Sequence, residues 1–271
     1  MLLYNNHFLP LQDLKLPITN RAFQYSDGFF ETIMVVDGQI RFWRDHQDRI
    51  REAAAALQLA IPTYFWDGEL EENLLQLVKQ RKAIEYGRIK LKVWRAGEGL
   101  YTPLSNDIEW LANAEVAHPI PDSGIQIGIC QSVRTLFSPL SHFKGPQAPL
   151  YVLAGMEKKA SGFDDMLLLD AKGNVAELIS SNIFWLKDGA LYTPALETGC
   201  VNGILRRNIL RWCLQQGIAV RQVLAIPEEL VQADCVFGTN ITGIRGIEKL
   251  EDSCLRINHD WLQGMKAGLQ V

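Results

Sequence analysis

The sequence predicts an α+β protein of two domains. Strand-like alternation gathers into blocks with helical stretches set beside them, rather than a regular strand–helix alternation. A segment rich in proline and glycine interrupts both periodicities near the middle. The length of 271 residues suits one large or two modest cores.

Taken in order, Thr32–Val36 and Ile40–Phe42 flank Asp37-Gly38, a strong hairpin signal. A helix is expected from about Asp45 to Leu57, with Ile50, Ala53, Ala54 and Leu57 on one face and Pro62 beyond its end. A second helix carries Leu70, Leu74, Leu77 and Val78, with Gly87 expected to close it. Ile89, Leu91 and Val93 alternate with Arg88, Lys90 and Lys92, as a half-exposed strand does. The segment 117–124, Ala-His-Pro-Ile-Pro-Asp-Ser-Gly, reads as a linker between a small domain (1–116) and a larger strand-rich one (125–271). Beyond it, Ile125, Ile127 and Ile129 form a strand, and Leu150–Ala160 a helix with Gly162 as its C′ residue. Met166–Leu169 pairs with Val175–Leu178, and Ile183–Leu186 with Ala190–Tyr192. Ile204–Leu214 is an amphipathic helix stopping at Gly217.

Composition removes several function classes. A net charge of −4 argues against a general nucleic-acid or anionic-membrane binder. Hydrophobic residues at 48% and charged ones at 21% are ordinary for a folded globular protein. The five cysteines are scattered and form no C-x-x-C, which points away from a disulfide framework or a zinc site and toward a reducing compartment. The segment Met1–His7 lacks the pattern of a signal peptide, and no stretch approaches a membrane span, so a cytoplasmic protein is expected.

The chemistry is expected around Lys144, in Ser141-His142-Phe143-Lys144-Gly145-Pro146. Downstream lie an Asp-Asp-x-Leu-Leu-Leu-Asp stretch, Glu177 ahead of Ser180-Ser181-Asn182-Ile183-Phe184, and a helix start at Gly203-Ile204-Leu205. A lysine able to form a Schiff base, a carboxylate able to hold a pyridine nitrogen protonated, and a helix start able to take a phosphate are what pyridoxal phosphate requires. A lone lysine is ordinarily a solvated surface residue, and Glu177 alone could be a polar strand end. What outweighs these readings is that the residues and their intervals match a known family's pattern.

These motifs resemble the class IV aminotransferases, the fold type IV pyridoxal-phosphate enzymes, which include branched-chain and D-amino-acid aminotransferases and 4-amino-4-deoxychorismate lyase. The resemblance runs from Asn20–Thr32, similar to the family's R-G-x-x-x-G-D-G-x-F-E-T, to Gly246-Ile247. It implies that Lys144 is the Schiff-base lysine and that Glu177 pairs with the pyridine nitrogen. It also implies that Arg49 of His46-Gln47-Asp48-Arg49 reaches the phosphate, that Gly203, Ile204 and Leu205 form the first phosphate loop, and that Thr239 and Asn240 form the second. Leu205 stands where relatives commonly carry threonine, so a hydroxyl contact is missing. Ser180 and Asn182 belong to the cofactor motif, and Phe30, Arg95 and Tyr101 are the substrate-side candidates. A homodimer with active sites near the subunit interface is implied as well, and the apolar run through Phe23, Tyr25, Phe29 and Phe30 is consistent with it.

The reaction is read from finer features. Val201-Asn202-Gly203-Ile204-Leu205-Arg206 is more similar to the lyase's V-N-G-I-x-R than to the G-I-T-R of many transaminases. The stretch Arg95–Tyr101 lacks the later arginine of D-amino-acid aminotransferases, and Phe30 replaces their tyrosine. These lean toward aminodeoxychorismate lyase acting on a small-molecule amine. The alternatives are an amino-acid transaminase, to which Phe30-Glu31-Thr32-Ile33 is equally suited, and a non-catalytic homologue that retains the cofactor or binds another ligand.

Overall fold

The structure, a computed structural model, describes residues 1–271. The chain divides into two compact units, Met1–Pro119 with Phe143–Pro146, and Ile120–His142 with Gln147–Val271. The change at Pro119/Ile120 falls inside the proline-rich segment. No break in the sequence marks Phe143–Pro146, the short stretch carrying Lys144, which groups with the first unit although both its flanks belong to the second.

The first unit holds β1 (Leu2–Tyr4), β2 (His7–Leu9), α1 (Arg21–Tyr25), β3 (Gly28–Val36), β4 (Gln39–Ile40), α2 (Trp43–Leu57), α3 (Glu69–Gln80), β5 (Tyr86–Arg95) and β6 (Ile108–Val116). Its sheet runs β2-β1-β6-β5-β3-β4, and every neighbouring pair is antiparallel. The period-two pattern decides the faces. Ile33, Ile89, Leu91 and Val93 are buried, as are Ile50 and Ala53 of α2 and Leu70, Leu74, Leu77 and Val78 of α3. The opposite face carries Phe30 and Thr32, directly across from Lys92 and Lys90.

Two expectations change here. The second strand of the hairpin ends at Ile40, because Phe42 takes a left-handed φ of 54° and starts α2. The helix α3 ends at Gln80, not at Gly87: Lys82 takes the left-handed turn at φ 54°, and Ala83 N–H closes on Val78 O at 3.0 Å. Gly87 instead lies in β5, where a Cβ would meet Ala83 O at 2.3 Å.

The second unit holds β7 (Ile125–Ile129), α4 (Ala148–Ser161), β8 (Asp165–Leu169), β9 (Val175–Leu178), β10 (Asn182–Lys187), β11 (Ala190–Pro194), α5 (Ile204–Gln215), β12 (Val220–Val223), α6 (Pro227–Val231), β13 (Cys235–Asn240), β14 (Gly243–Leu250), β15 (Ser253–Cys254) and α7 (His259–Leu269). Its nine-stranded sheet runs β12-β11-β10-β13-β14-β7-β8-β9, with β15 added to β14. The pairs β11/β12, β14/β7 and β7/β8 are parallel; the others are antiparallel. Ile127, Leu167, Ile183, Trp185, Val236 and Ile247 form the centre of one buried cluster. Near-continuous apolar runs such as Ile183–Leu186 fit strands buried on both faces. Gly162 ends α4 at φ 79°, as expected of a C′ glycine.

Candidate active site

In the first unit, Lys144 is anchored by its backbone. The Phe30 N–H donates to Lys144 O at 2.9 Å. The next residue must be glycine: a Cβ on Gly145 would lie 2.7 Å from Gly28 O and 2.8 Å from Phe29 Cα, and its φ is +154°. The lysine loop is therefore laid against the start of β3, where the Phe-Glu-Thr motif stands.

That motif supplies Glu31, 1% exposed, to a buried cluster. Arg49 of α2 grips it with two parallel bonds, Nε to Oε1 at 2.7 Å and Nη2 to Oε2 at 2.6 Å, and His46 Nδ1 lies 2.6 Å from Oε2. Helical spacing puts His46 and Arg49, three residues apart, on the same side of α2. Burial works against the charge on Glu31, but Arg49 and His46 outweigh it and hold the carboxyl at about 2. Burial also pushes His46 below its usual value, despite its bond to Glu31. With Nδ1 donating to the carboxylate, His46 Nε2 remains buried with no hydrogen-bond partner.

In the second unit the predicted residues converge on the turn at 200–203. Glu177, 3% exposed, accepts from Tyr151 Oη at 2.7 Å and from the Val201 N–H at 3.1 Å. Asn182 Nδ2 donates to Val201 O at 2.7 Å, and the same carbonyl accepts from Gly203 N–H at 3.0 Å. Thr239 is paired with Asn182 across β10 and β13. Arg206 Nη1 donates to Asn202 Oδ1 at 3.1 Å, and Asn202 N–H to His142 O at 3.0 Å. Burial, and then the Glu177 charge, push the Tyr151 phenol well above its ordinary value, so it remains a donor.

The donor set suits a phosphorylated pyridine. Gly203 heads α5 without a side-chain cap, so first-turn amides are presented to an anion. Thr239 Oγ1 is buried with no partner in the protein, a polar atom that a phosphate oxygen would satisfy. Leu205 is 1% exposed and brings only its amide to that helix start.

Two predicted residues are corrected by their bonds. Arg95 is structural. Its Nε donates to Asp27 Oδ2 at 2.9 Å, Nη1 to Asn106 Oδ1 at 2.6 Å and Gln58 O at 3.3 Å, and Nη2 to Leu57 O at 2.5 Å. That leaves it no fork for a substrate. The Asn240 side chain donates to Ser180 O and Ser181 Oγ and accepts from Thr242 N–H and Oγ1, so it locks its own turn rather than holding a phosphate. Ser180 is exposed. Tyr101 is 88% exposed with its ring on Tyr25 at 5.4 Å. Phe30 carries the Lys90 ammonium over its ring, 3.3 Å from the centroid.

Tyr151 and Glu31 escaped the sequence reading as site residues. Glu31 and His46 lie inside quoted motifs and could have been found there. Tyr151 carries no local signal.

Residues 28–250 match the amino-transferase class IV family. The chain belongs to that family. It is a pyridoxal-phosphate-dependent enzyme, a transaminase or a lyase, as the sequence motifs imply. Aminodeoxychorismate lyase of Vibrio harveyi is 29% identical over 237 residues, covering 85% of each chain. The branched-chain-amino-acid aminotransferase of Salmonella typhimurium is 26% identical over 264 residues, covering 92% of this chain and 85% of that one. Among solved structures, the branched-chain aminotransferase of the archaeon Thermoproteus uzoniensis, determined with norvaline, shares the fold at a TM-score of 0.88. It is 20% identical and covers 99% of this chain and 94% of that one. No helix is long and apolar enough to cross a membrane.

Proposed function

We propose that this class IV enzyme is a 4-amino-4-deoxychorismate lyase, converting its substrate to 4-aminobenzoate and pyruvate. The observation that carries the reading is the turn Val201-Asn202-Gly203-Ile204-Leu205-Arg206, lyase-like in sequence and built around Asn202, whose side chain takes Arg206. The lyase of Vibrio harveyi supports it.

When bound, pyridoxal phosphate supplies the electron sink for the pair left on the substrate carbon that bears nitrogen. In this reading Lys144 Nζ would hold the cofactor and, when free, would take the proton from that carbon. The Glu177 carboxylate, fixed by Tyr151 and the Val201 amide, would hold the cofactor's pyridine nitrogen protonated. The amides of Ile204 and Leu205 and Thr239 Oγ1 would take the phosphate, a role that the family resemblance also gives to Arg49. Loss of the pyruvate unit is driven by aromatisation of the ring.

A homodimer is part of the proposal. Phe23, Leu100, Tyr101 and Leu104 of the first unit are 73%, 78%, 88% and 82% exposed, a set of large apolar side chains that a second copy would cover. Phe29 and Phe30 contribute little to it, since both lie in β3 and Phe29 is buried. A cytoplasmic location fits five cysteines that are all free.

An amino-acid transaminase is the second reading, favoured by Phe30-Glu31-Thr32-Ile33 and by the Salmonella relative. Incubation with aminodeoxychorismate, and separately with a panel of amino acids and 2-oxo acids, decides between them. The lyase reading requires 4-aminobenzoate and pyruvate in equal amounts. Amino transfer without 4-aminobenzoate would replace it with the second reading.

A further inference from the structure

We propose that Arg206 is a positioning residue for the cofactor's phosphate: a buried cation with no counter-ion in the protein, whose charge draws a phosphate dianion to the start of α5. The inference rests on the reading of that helix start as the phosphate site.

Three features of Arg206 each work against stability, and a bound anion offsets all three. The residue is 2% exposed. It is the third residue of α5, behind the uncapped Gly203, where the helix dipole favours acidic side chains, and the first turn holds none. Its guanidinium bonds only to neutral oxygens. Nη1 donates to Asn202 Oδ1 at 3.1 Å, and Nη2 to Gln222 Oε1 at 2.8 Å and Pro194 O at 3.1 Å, while Nε is buried with no partner. A guanidinium keeps its charge when buried, and taking it from water without a carboxylate to pair it is costly. Its fork is committed to the turn, β11 and β12, so it acts through its charge rather than by a bond to the phosphate.

The groups around Arg206 do not supply the missing charge. Burial pushes the Cys200 thiol up to about 11, so it stays neutral. Glu177 and Glu197 act on Arg206 electrostatically, but it forms an ion pair with neither. Glu177 takes Tyr151 and the Val201 N–H, and Glu197 is exposed. Arg207, next in the chain, adds a second cation, its Nε on Asn202 O at 3.3 Å. The arginine and the helix start also meet in space. A Cβ on Gly203 would lie 2.1 Å from Asn182 Oδ1 and 3.7 Å from Arg206 Cβ. Asn182 is in turn the register partner of Thr239, whose buried Oγ1 has no partner in the protein.

The test compares pyridoxal phosphate with pyridoxal, which lacks only the phosphate, by equilibrium dialysis on the full chain. The ratio of the two affinities isolates the phosphate. Arg206→Met is expected to cut that ratio about tenfold, the order of magnitude for one buried unit charge acting over several Å, and to leave pyridoxal binding unchanged. Arg206→Lys, which keeps the charge and loses the fork, is expected to retain most of the ratio. Gln222→Glu keeps the acceptor at Nη2 and gives Arg206 the carboxylate it lacks. Residue 222 is exposed, so this variant folds whatever becomes of the others, and it is expected to cut the ratio about threefold. A structural Arg206 would move with its bonds and not with its charge. Equal losses for the two ligands in Arg206→Met, an Arg206→Lys as impaired as Arg206→Met, or an unchanged ratio in Gln222→Glu would each overturn the proposal. Thr239→Val separates this from the underlying reading. A ratio that falls in Thr239→Val but in neither Arg206→Met nor Gln222→Glu would leave the phosphate site standing and remove Arg206 from it, whereas a ratio unmoved in all three would defeat both.

Discussion

Replacing Glu31 with glutamine should destabilise the first unit far more than its loss of one charge suggests. The carboxylate is 1% exposed and holds Arg49, 2% exposed, through bonds of 2.7 and 2.6 Å, and His46, 0% exposed, at 2.6 Å. Glutamine keeps the shape but turns one acceptor into a donor facing a guanidinium and leaves that buried cation uncompensated. Breaking a buried ion pair from one side costs about 3–5 kcal/mol, against under ~1 kcal/mol for an exposed pair such as Arg51–Asp48. Urea unfolding of the cofactor-free protein, with amide hydrogen exchange over residues 28–57, should register the loss. At a slope of ~3 kcal/mol/M, the midpoint of the first unit falls by about 1–1.7 M. A change under ~1 kcal/mol would refute the argument that the buried cluster holds α2 to β3. The pH dependence has a definite sign. The Glu31 carboxyl stands at about 2 in the fold against 4.5 as the ordinary value. Its contribution is therefore complete above 4.5 and drains away as pH falls toward about 2. Between those limits Glu31→Gln should show a shallower loss of stability with acid than the wild type.

Four further outcomes are expected. Lys144→Ala should abolish the visible absorbance of the cofactor complex and the activity with no loss of fold by circular dichroism; retained turnover would remove Lys144 from the chemistry. Glu177→Gln should cut turnover by about a hundredfold, ~2.7 kcal/mol of barrier, with much less effect on cofactor affinity, so equal falls in both would make it merely a ligand. Thr239→Val removes a buried hydroxyl that has no protein partner, so the cofactor-free protein should be as stable or more so while pyridoxal phosphate binds more weakly. Unchanged affinity by equilibrium dialysis would exclude Thr239 from the phosphate site. Tyr151→Phe should destabilise the cofactor-free protein by about 1–3 kcal/mol in the same unfolding assay, through the lost bond to buried Glu177; no change would mean that Glu177 is held without it.

What the sequence determined by itself was local or ordered along the chain. Alternation in 89–93 and helical spacing in 70–78 report burial directly, because the neighbours that bury those residues follow from the period. The motifs from the Phe-Glu-Thr run to the 201–206 turn named the family because their order and intervals survive in a linear reading. Tertiary structure alone decided what each polar side chain does, since bond partners are distant in sequence and leave no periodic trace. Arg95 and Arg49 are both arginines beside a motif. One spends its guanidinium on Asp27, Asn106 and two carbonyls, while the other is clamped by Glu31, 18 residues away. Asn240 matches a phosphate loop in sequence, yet its side chain is consumed by its own turn. Lys90 reads as a solvated strand residue until the register sets its ammonium over Phe30, whose amide holds Lys144. Pairing across a sheet is set by burying one face of each strand together, and that is a property of the whole unit rather than of any single strand.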